Sequence, residues 1–279
     1  TNVSGTRIIS PMQLRRIKQK YWNMSKQLRR IASMTKQENR PCGREVLTSH
    51  LRHNLFGVRP VGNNHRLAAD AAVEWLLRAQ AATPDDGVAH GYYPCDVEDG
   101  WLASYPETTG YIISSLLDYA DYYSVDRVRD HAIAMAHWES EVQMDSGAVQ
   151  GGRFCPGEEQ TPAIFNTGMV LNGWTSAWRE TGEERFLESG RRAADFLIAD
   201  MDERGHYRTH GSYVTTHEIK TYNVLCSWAL YRFGEDSNEP KYLDAAIRNG
   251  ESTLEQQTPT GWFKECCLSN PNAPLTHTI

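Results

Sequence analysis

The sequence has 279 residues, of which 40% are hydrophobic and 23% are charged, as in ordinary soluble globular proteins. It contains no run of about 18 uncharged apolar residues and no basic segment leading into an apolar run, so a spanning helix and a secretory leader are not predicted. We therefore expect a cytoplasmic protein. The formal net charge of -6 hides an asymmetry, because residues 1–60 hold 13 Lys/Arg against 2 Asp/Glu and the remainder is acidic.

The basic front of the chain contains a helical heptad pattern. The sequence LRRI occurs at residues 14–17 and again at 28–31, and the apolar residues between them alternate between a and d positions. This predicts a basic amphipathic helix that could pack on the acidic remainder, bind a protein partner or lie on an anionic membrane surface. No specific nucleic-acid contact is predicted. We expect a front region over 1–62, comprising this helix and a connector, and a second region over 63–279.

The second region repeats itself about every 56 residues. Turn glycines recur at spacings of 60, 58 and 56, and we expect left-handed backbone there: Gly87, Gly147, Gly205 and Gly261. A second series marks helix starts at spacings of 58, 54 and about 56: Thr109, Thr167, Thr221 and His277.

Each period predicts two helices. The helix that starts at the threonine is apolar on most sides and should be the more buried one, whereas its partner is amphipathic, as in residues 125–142, with Ser124 as its expected cap. Short links such as ETGEERF favour antiparallel hairpins. Strand signals are few and short.

The repeat resembles the α/α toroids of the six-hairpin carbohydrate-active superfamily, which includes glycoside hydrolases, sugar 2-epimerases and the helical domain of glucuronyl C5-epimerases. The likeness covers residues 64–279 and rests on the period, the hairpin pattern and turns such as GWF. It implies an all-α toroid with a glycan as substrate. About four hairpins are expected, and since six would need roughly 330 residues, we expect an incomplete ring.

In such a toroid the inner helices run the same way, so their first turns converge on one face. That face would gather the proposed catalytic residues Glu107, His217, Tyr222 and His277, and the proposed substrate-binding residues Trp101, Tyr105, Arg153, Asn166, Lys220, Asn223 and Trp262. Aromatic rings, amides and helix N-termini suit a sugar, and the cations favour a uronate. No cofactor is predicted, and no metal site, because ligand spacings such as HExxH are absent.

Glu107 has two interpretations. Directly after Pro106, in the first turn of a helix, a carboxylate is favoured by the helix dipole alone. The corresponding positions of the other repeats hold Phe165, Ile219 and Leu275, so the repeat does not require an acid there. Glu107 therefore stays open as a structural first-turn acid or a catalyst.

Other groups could also move protons. His217 and His277 could be structural histidines or an acid/base pair, and Tyr222 could act if Lys220 lowered its pKa. Asp96, Glu98 and Asp99 form either a solvated acidic loop or the source of a second acid for hydrolysis. For the tryptophans inside the repeat helices we expect core packing: Trp138, Trp174, Trp178 and Trp228.

Three functions compete. The leading one is a carbohydrate-active enzyme that works by epimerisation or elimination, favoured by the supply of Tyr and His, or by hydrolysis. The second is a non-catalytic glycan-binding or assembly module of a polysaccharide-synthesis system. The third, an isoprenoid-type toroid, is disfavoured because neither a zinc site nor a DxDD-like centre occurs.

Overall fold

The computed structural model describes residues 51–57, 64–93, 100–209 and 220–266. The chain divides into two compact units, one made of Thr1–Pro60 and Pro94–Gly100, the other of Val61–Tyr93 and Trp101–Ile279. In the first unit, residues 51–56 are helical. The predicted basic front helix lies outside the described residues.

The second unit is built from helices joined by turns and isolated β-bridges. Its long helices are α1 (His65–Ala81), α2 (Pro106–Tyr123), α3 (Asp126–Val142), α4 (Ile164–Thr181), α5 (Glu184–Ala199), α6 (Val224–Ser237) and α7 (Pro240–Leu254), with a 3₁₀ helix at Thr221–Asn223 before α6. Over the described part of the chain, no helix combines the length and the hydropathy that crossing a bilayer needs.

The helices form the expected antiparallel hairpins of an α/α toroid. α2 packs on α3, α4 on α5 and α6 on α7, while α2, α4 and α6 also pack side by side as an inner layer. α4, the middle inner helix, is buried on nearly all sides, and α3, α5 and α7 bury one face each. The described residues thus contain three complete hairpins, preceded by α1.

The inner helices run parallel and start at the same level. A Cβ added at Gly110, in the second turn of α2, would lie 2.7 Å from the backbone of Val170, and one added at Gly168 would lie 2.6 Å from the Cβ of Cys226. Such close approach is possible only without a side chain, so these glycines let neighbouring inner helices touch near their N-termini. The first turns therefore converge as the toroid prediction required.

Each inner helix ends in a left-handed residue, and this corrects the role expected for Ser124. Ser124 (φ 56°), Gly182 (φ 71°) and Asn238 (φ 55°) are the C-caps of α2, α4 and α6. The N-cap of α3 is Val125, which makes no side-chain cap hydrogen bond. Ser124 thus terminates the inner helix, and the next residue, Val125, takes the N-cap position of the outer one.

The turn glycines follow the repeat with one exception. Gly147, Gly205 and Gly261 have φ values of 88°, 82° and 85°, in the left-handed region that glycine adopts without strain. They lie in the loops that return from an outer helix to the next inner one. Gly87 does not have a positive φ; a Cβ there would lie 2.6 Å from the ring of Trp138, so close packing is what requires glycine at that position.

The repeated threonines fasten these return loops to the inner helices. The hydroxyl of Thr109 accepts a hydrogen bond from the backbone N–H of Val88 and donates to the carbonyl of Tyr105; Thr167 does the same with Val149 and Ala163. Thr221 differs, since its hydroxyl donates to the carbonyl of Lys264, in the following return loop.

The expected core packing holds for three of the four tryptophans. Trp174 and Trp138 are buried and Trp178 packs partly buried against the core, but Trp228 is 48% exposed. The expectation for Trp228 was wrong, because α6 has only one inner neighbour, α4, in the described part of the chain, whereas α4 lies between two.

Candidate functional site

The first turns of α2, α4 and the 3₁₀ helix form one rim of the second unit, which we call the inner rim. The rings of Phe165 and Tyr222, from successive inner-helix starts, lie 5.5 Å apart between centroids. Burial, and then the charge of Glu107, raise the pKa of the Cys226 thiol in α6.

Glu107 is held by two tyrosines. The hydroxyl of Tyr105 donates a hydrogen bond of 2.9 Å to Oε2, and the hydroxyl of Tyr111 donates one of 2.9 Å to Oε1. The carboxylate is partly exposed, so it can reach solvent or a ligand at the rim. Two phenol donors orient both oxygens, which restricts the side chain to one position.

This arrangement bears on the two interpretations of Glu107. No side-chain cap hydrogen bond is formed at the N-terminus of α2, and in the described residues the Glu107 oxygens accept from phenols rather than from the backbone N–H groups of the first turn. A structural first-turn acid would be favoured by the helix dipole without such partners. The paired tyrosines thus hold the carboxylate through contacts that the helix dipole does not require.

Tyr111 was missed from the sequence. It lies four residues after Glu107 and therefore one helical turn along the same face, which is the signal that would have found it. Burial, with the neighbouring charge of Glu107, raises the pKa of the Tyr111 hydroxyl. The phenol therefore stays protonated at neutral pH and remains a hydrogen-bond donor to the carboxylate.

The segment before α2 extends the site. Residues 89–92 pair antiparallel with residues 101–104 through the bridges Ala89–Ser104 and Tyr92–Trp101. We call these two segments the rim hairpin. At the end next to α2, the ring of His90 lies 4.5 Å from that of Tyr105, so an exposed imidazole contacts the tyrosine that binds Glu107.

At its other end the rim hairpin carries a cluster of aromatic rings. Ring centroids are 4.7 Å apart for Tyr92 and Trp101, 5.1 Å for Trp75 and Trp101, and 5.8 Å for Trp75 and Tyr92. Trp75 comes from α1 and is 43% exposed, Tyr92 is 46% exposed, and Trp101 is partly buried. Trp101, a predicted sugar-binding residue, thus belongs to a larger surface than the sequence indicated.

Four predicted site residues are buried. The Asn166 amide donates a hydrogen bond of 2.9 Å to the carbonyl of Gln150, and so fastens a return loop to the start of α4. Lys220, Tyr222 and Asn223 are 8%, 3% and 0% exposed. Burial lowers the pKa of Lys220, partly opposed by the charge of Glu265.

The remaining predicted site residues fall into two groups. Arg153 and Trp262 are exposed and lie in return loops; the indole of Trp262 is 47% exposed. His217 and His277 lie outside the described residues, as do Asp96, Glu98 and Asp99. The structure therefore brings together Glu107, Tyr105 and, through the rim hairpin, Trp101.

The described residues show no grouping of side chains that could bind a metal ion. Within residues 51–57, 64–93, 100–209 and 220–266, no three His, Cys, Asp or Glu side chains are grouped so that they could hold a metal ion. The chemistry open to this part of the rim is that of a carboxylate, phenols and an imidazole.

Comparison with known proteins identifies the fold. No protein-family model matches the chain, and no curated protein matches it in sequence. Solved structures do match. A possible member of the GH105 family from Salmonella enterica subsp. enterica serovar Paratyphi A has a TM-score of 0.58 and 14% identity, over 75% of this chain and 60% of that one.

Two further solved structures have the same architecture. An unsaturated glucuronyl hydrolase specific for heparin has a TM-score of 0.55 and 17% identity, over 71% of this chain and 50% of that one. A D-mannose isomerase has a TM-score of 0.51 and 15% identity, over 74% of this chain and 56% of that one. The chain thus spans one half to three fifths of the length of these proteins. At such identities the likeness shows the fold alone, an α/α toroid.

Proposed function

We propose that this protein is a carbohydrate-active enzyme in which Glu107 transfers a proton at the inner rim. The observation that carries the proposal is the pair of hydrogen bonds that Tyr105 and Tyr111 donate to the two oxygens of a partly exposed carboxylate. A carboxylate held in one position, next to solvent, meets the first requirement of a general acid or base, which is geometry.

The toroid supports a glycan as substrate. The solved structures with this architecture include a glucuronyl hydrolase and a D-mannose isomerase, and both of those names refer to sugars. The rim of this chain adds partly exposed and exposed aromatic rings, Tyr105, Trp101 and Trp262, which suit the apolar faces of sugar rings. A uronate-containing oligosaccharide is the proposed substrate class.

The proposed step is a proton transfer at a sugar carbon next to the uronate carboxyl group. Glu107 accepts the proton, the carbon–hydrogen bond breaks and its electron pair is delocalised into the carboxyl group. Reprotonation on the opposite face by a second proton-transfer group gives the epimer. In the elimination branch the carbon–oxygen bond at the adjacent carbon breaks instead, and the departing oxygen takes its proton from that second group. His217 and His277 stay proposed as the second proton-transfer group, and Arg153 as a substrate-binding residue. Tyr222, Asn166, Lys220 and Asn223 are buried, which counts against direct contact with the substrate.

Hydrolysis by the same carboxylate is the alternative reaction. In that case Glu107 would protonate the glycosidic oxygen, and a second carboxyl group about 5 to 9.5 Å away would activate water or attack the sugar. The two classes leave different products, so one experiment separates them.

The test is a turnover screen in deuterated buffer with uronate-containing and neutral oligosaccharides, read by mass spectrometry and NMR. Deuterium at a sugar carbon, or an unsaturated product, supports epimerisation or elimination; new reducing ends without carbon-bound deuterium indicate hydrolysis. Binding without turnover would favour the non-catalytic glycan-binding module, the second candidate, for which the half-exposed indole of Trp262 is the supporting observation. Neither binding nor turnover on any glycan would contradict both.

A further inference from the structure

The aromatic cluster on the rim hairpin is not needed to hold Glu107. Trp75, Tyr92 and Trp101 contact one another, but the two hydrogen bonds to the carboxylate come from Tyr105 and Tyr111. Two of the three rings are nearly half exposed, although large aromatic side chains usually gain by burial. A surface of several adjoining, partly exposed rings is typical of a ligand-binding or partner-binding site.

The charge beside the cluster indicates the kind of ligand. The guanidinium group of Arg78 lies 5.5 Å from the centroid of the Trp75 ring, one turn along α1. Arg78 is exposed, and within the stretches that the structure describes it makes no ion pair with a carboxylate. Stacking rings next to an available guanidinium would suit a sugar that carries a carboxylate, which Arg can bind through two parallel hydrogen bonds.

The rim hairpin connects the cluster to Glu107. Tyr92 pairs with Trp101 at one end, and at the other end the backbone N–H of Tyr105 donates to the carbonyl of Val88. His90 and Tyr92 are two residues apart, or roughly 7 Å along an extended chain. A ligand that contacts Glu107 through one sugar would therefore reach the cluster with a sugar further along the same oligosaccharide.

We propose that Trp75, Tyr92, Trp101 and Arg78 form a second sugar subsite, the aromatic subsite, which binds an acidic sugar residue remote from the bond that reacts at Glu107. This inference rests on the proposed function and deepens it, because it makes the substrate an oligosaccharide rather than a single sugar. The reacting sugar lies at Glu107, and the next acidic residue stacks on the rings while its carboxylate pairs with Arg78.

The test compares substrates of different length. Hyaluronan di-, tetra- and hexasaccharides serve as probes, with kcat and KM measured for the parent and for Trp75→Ala. We expect Trp75→Ala to raise KM about tenfold for the tetra- and hexasaccharide, which is what the loss of one good stacking contact implies, and to leave the disaccharide unchanged. Trp75→Tyr, which keeps a ring, should retain most of the preference for the longer probes.

Trp228→Ala is the matched control. Trp228 is 48% exposed, and the guanidinium of Arg232 lies 5.0 Å from its ring, so it resembles Trp75 in exposure and in its cation neighbour but lies on α6 rather than near the rim hairpin. It should leave KM unchanged for all three probes. An equal effect of the two alanine variants would overturn the subsite.

Calorimetric binding to the Glu107→Gln variant separates this inference from the proposed function. If the longer probes bind more tightly than the disaccharide, and Trp75→Ala or Arg78→Gln abolishes that gain, the subsite is supported. This holds even if Glu107→Gln still turns over substrate, because that result would contradict only the catalytic role of Glu107. If binding does not depend on probe length but Glu107→Gln loses turnover, the subsite is overturned and the proposed catalytic role of Glu107 stands.

Carboxyl-reduced tetrasaccharide tests the role of Arg78. It should bind the parent and Arg78→Gln equally; a remaining difference would overturn that role. No binding of any probe contradicts both proposals.

Discussion

The hydroxyl of Tyr111 donates a hydrogen bond of 2.9 Å to Oε1 of Glu107, one turn earlier in the same helix. Burial and the carboxylate charge raise the pKa of Tyr111, so the phenol remains a donor through neutral pH. If Glu107 is the proton-transferring group, Tyr111 is a positioning residue that acts through it.

Tyr111→Phe should therefore lower kcat more than it alters KM. A hydrogen bond to a charged group contributes about 1.5 to 3 kcal/mol, which corresponds to roughly 10- to 100-fold in kcat if the whole contribution is lost in the transition state. Steady-state kinetics on the substrate found in the screen would measure it. Tyr231→Phe is the matched control, because Tyr231 also lies four residues from a glutamate, Glu235, on α6, and that glutamate raises its pKa. A similar loss there would contradict the positioning role.

Removing the threonine hydroxyls should weaken the attachment of the return loops. Thr109→Val leaves the backbone N–H of Val88 without its acceptor, and Thr167→Val does the same to Val149. Each should cost about 1 to 3 kcal/mol of unfolding free energy in urea titration. Thr175→Val is the control, because in the described residues that buried hydroxyl only donates to the carbonyl of Leu171 in its own helix; an equal cost would mean that the loop contact adds nothing.

The contact between α2 and α4 depends on Gly110. A Cβ there would lie 2.7 Å from backbone atoms of Met169 and Val170, which cannot move aside as a side chain can. Gly110→Ala should lower the unfolding free energy by about 1 to 3 kcal/mol. Gly250→Ala in α7, where a Cβ meets nothing within 4 Å, should raise it by up to about 1 kcal/mol. Unchanged stability for Gly110→Ala would contradict the close approach of the inner helices.

How far the sequence predicts the fold is clear from the repeated residues. Thr109 and Thr167 recur because each fastens a return loop to the inner helix that follows it, and the spacing of the threonines and turn glycines predicted the hairpins. The errors fall where a residue's environment differs between repeats. Trp228 has the sequence context of Trp174 but lacks a second inner neighbour in the described chain, and Ser124 closes α2 rather than opening α3.

The candidate site was less predictable. Sequence spacing placed Glu107 and Tyr105 at a helix start, but it could not show which side chains there point inward. The amide of Asn166 is used by the carbonyl of Gln150, and Asn223 is fully buried. Tyr111 could have been found from its spacing to Glu107, whereas Trp75 joins Trp101 only through the packing of α1 on the rim hairpin.

The buried acid on α3 predicts a pH dependence of stability. Glu139 is fully buried, neither of its oxygens has a hydrogen-bond partner in the described residues, and burial, with the charge of Asp85, raises its pKa well above the ordinary value. The folded state thus holds a proton that the unfolded state releases. The stability is fully present below the ordinary carboxyl pKa and is lost as pH rises toward and through the raised pKa.

We expect the unfolding free energy of the parent to fall by up to about 1.4 kcal/mol per pH unit in that range, and Glu139→Met to remove this slope. Urea titrations between pH 4 and pH 8, spanning roughly the unperturbed carboxyl pKa upward, measure it. Glu141→Met, at an exposed position of the same helix, should keep the parent's slope. A parent slope that survives in Glu139→Met would show that another group carries the proton.

The most direct test of the central claim, that Glu107 transfers the proton, is the kcat/KM of Glu107→Gln on the glycan that the parent turns over. Glutamine keeps the shape of glutamate but cannot transfer the proton, so we predict that kcat/KM falls about 100-fold or more. The unfolding free energy of the variant should equal that of the parent. Glu188→Gln, the same change at an exposed carboxylate of α5, should retain parental activity. Near-parental kcat/KM for Glu107→Gln would contradict the account and return Glu107 to a structural role at the start of α2.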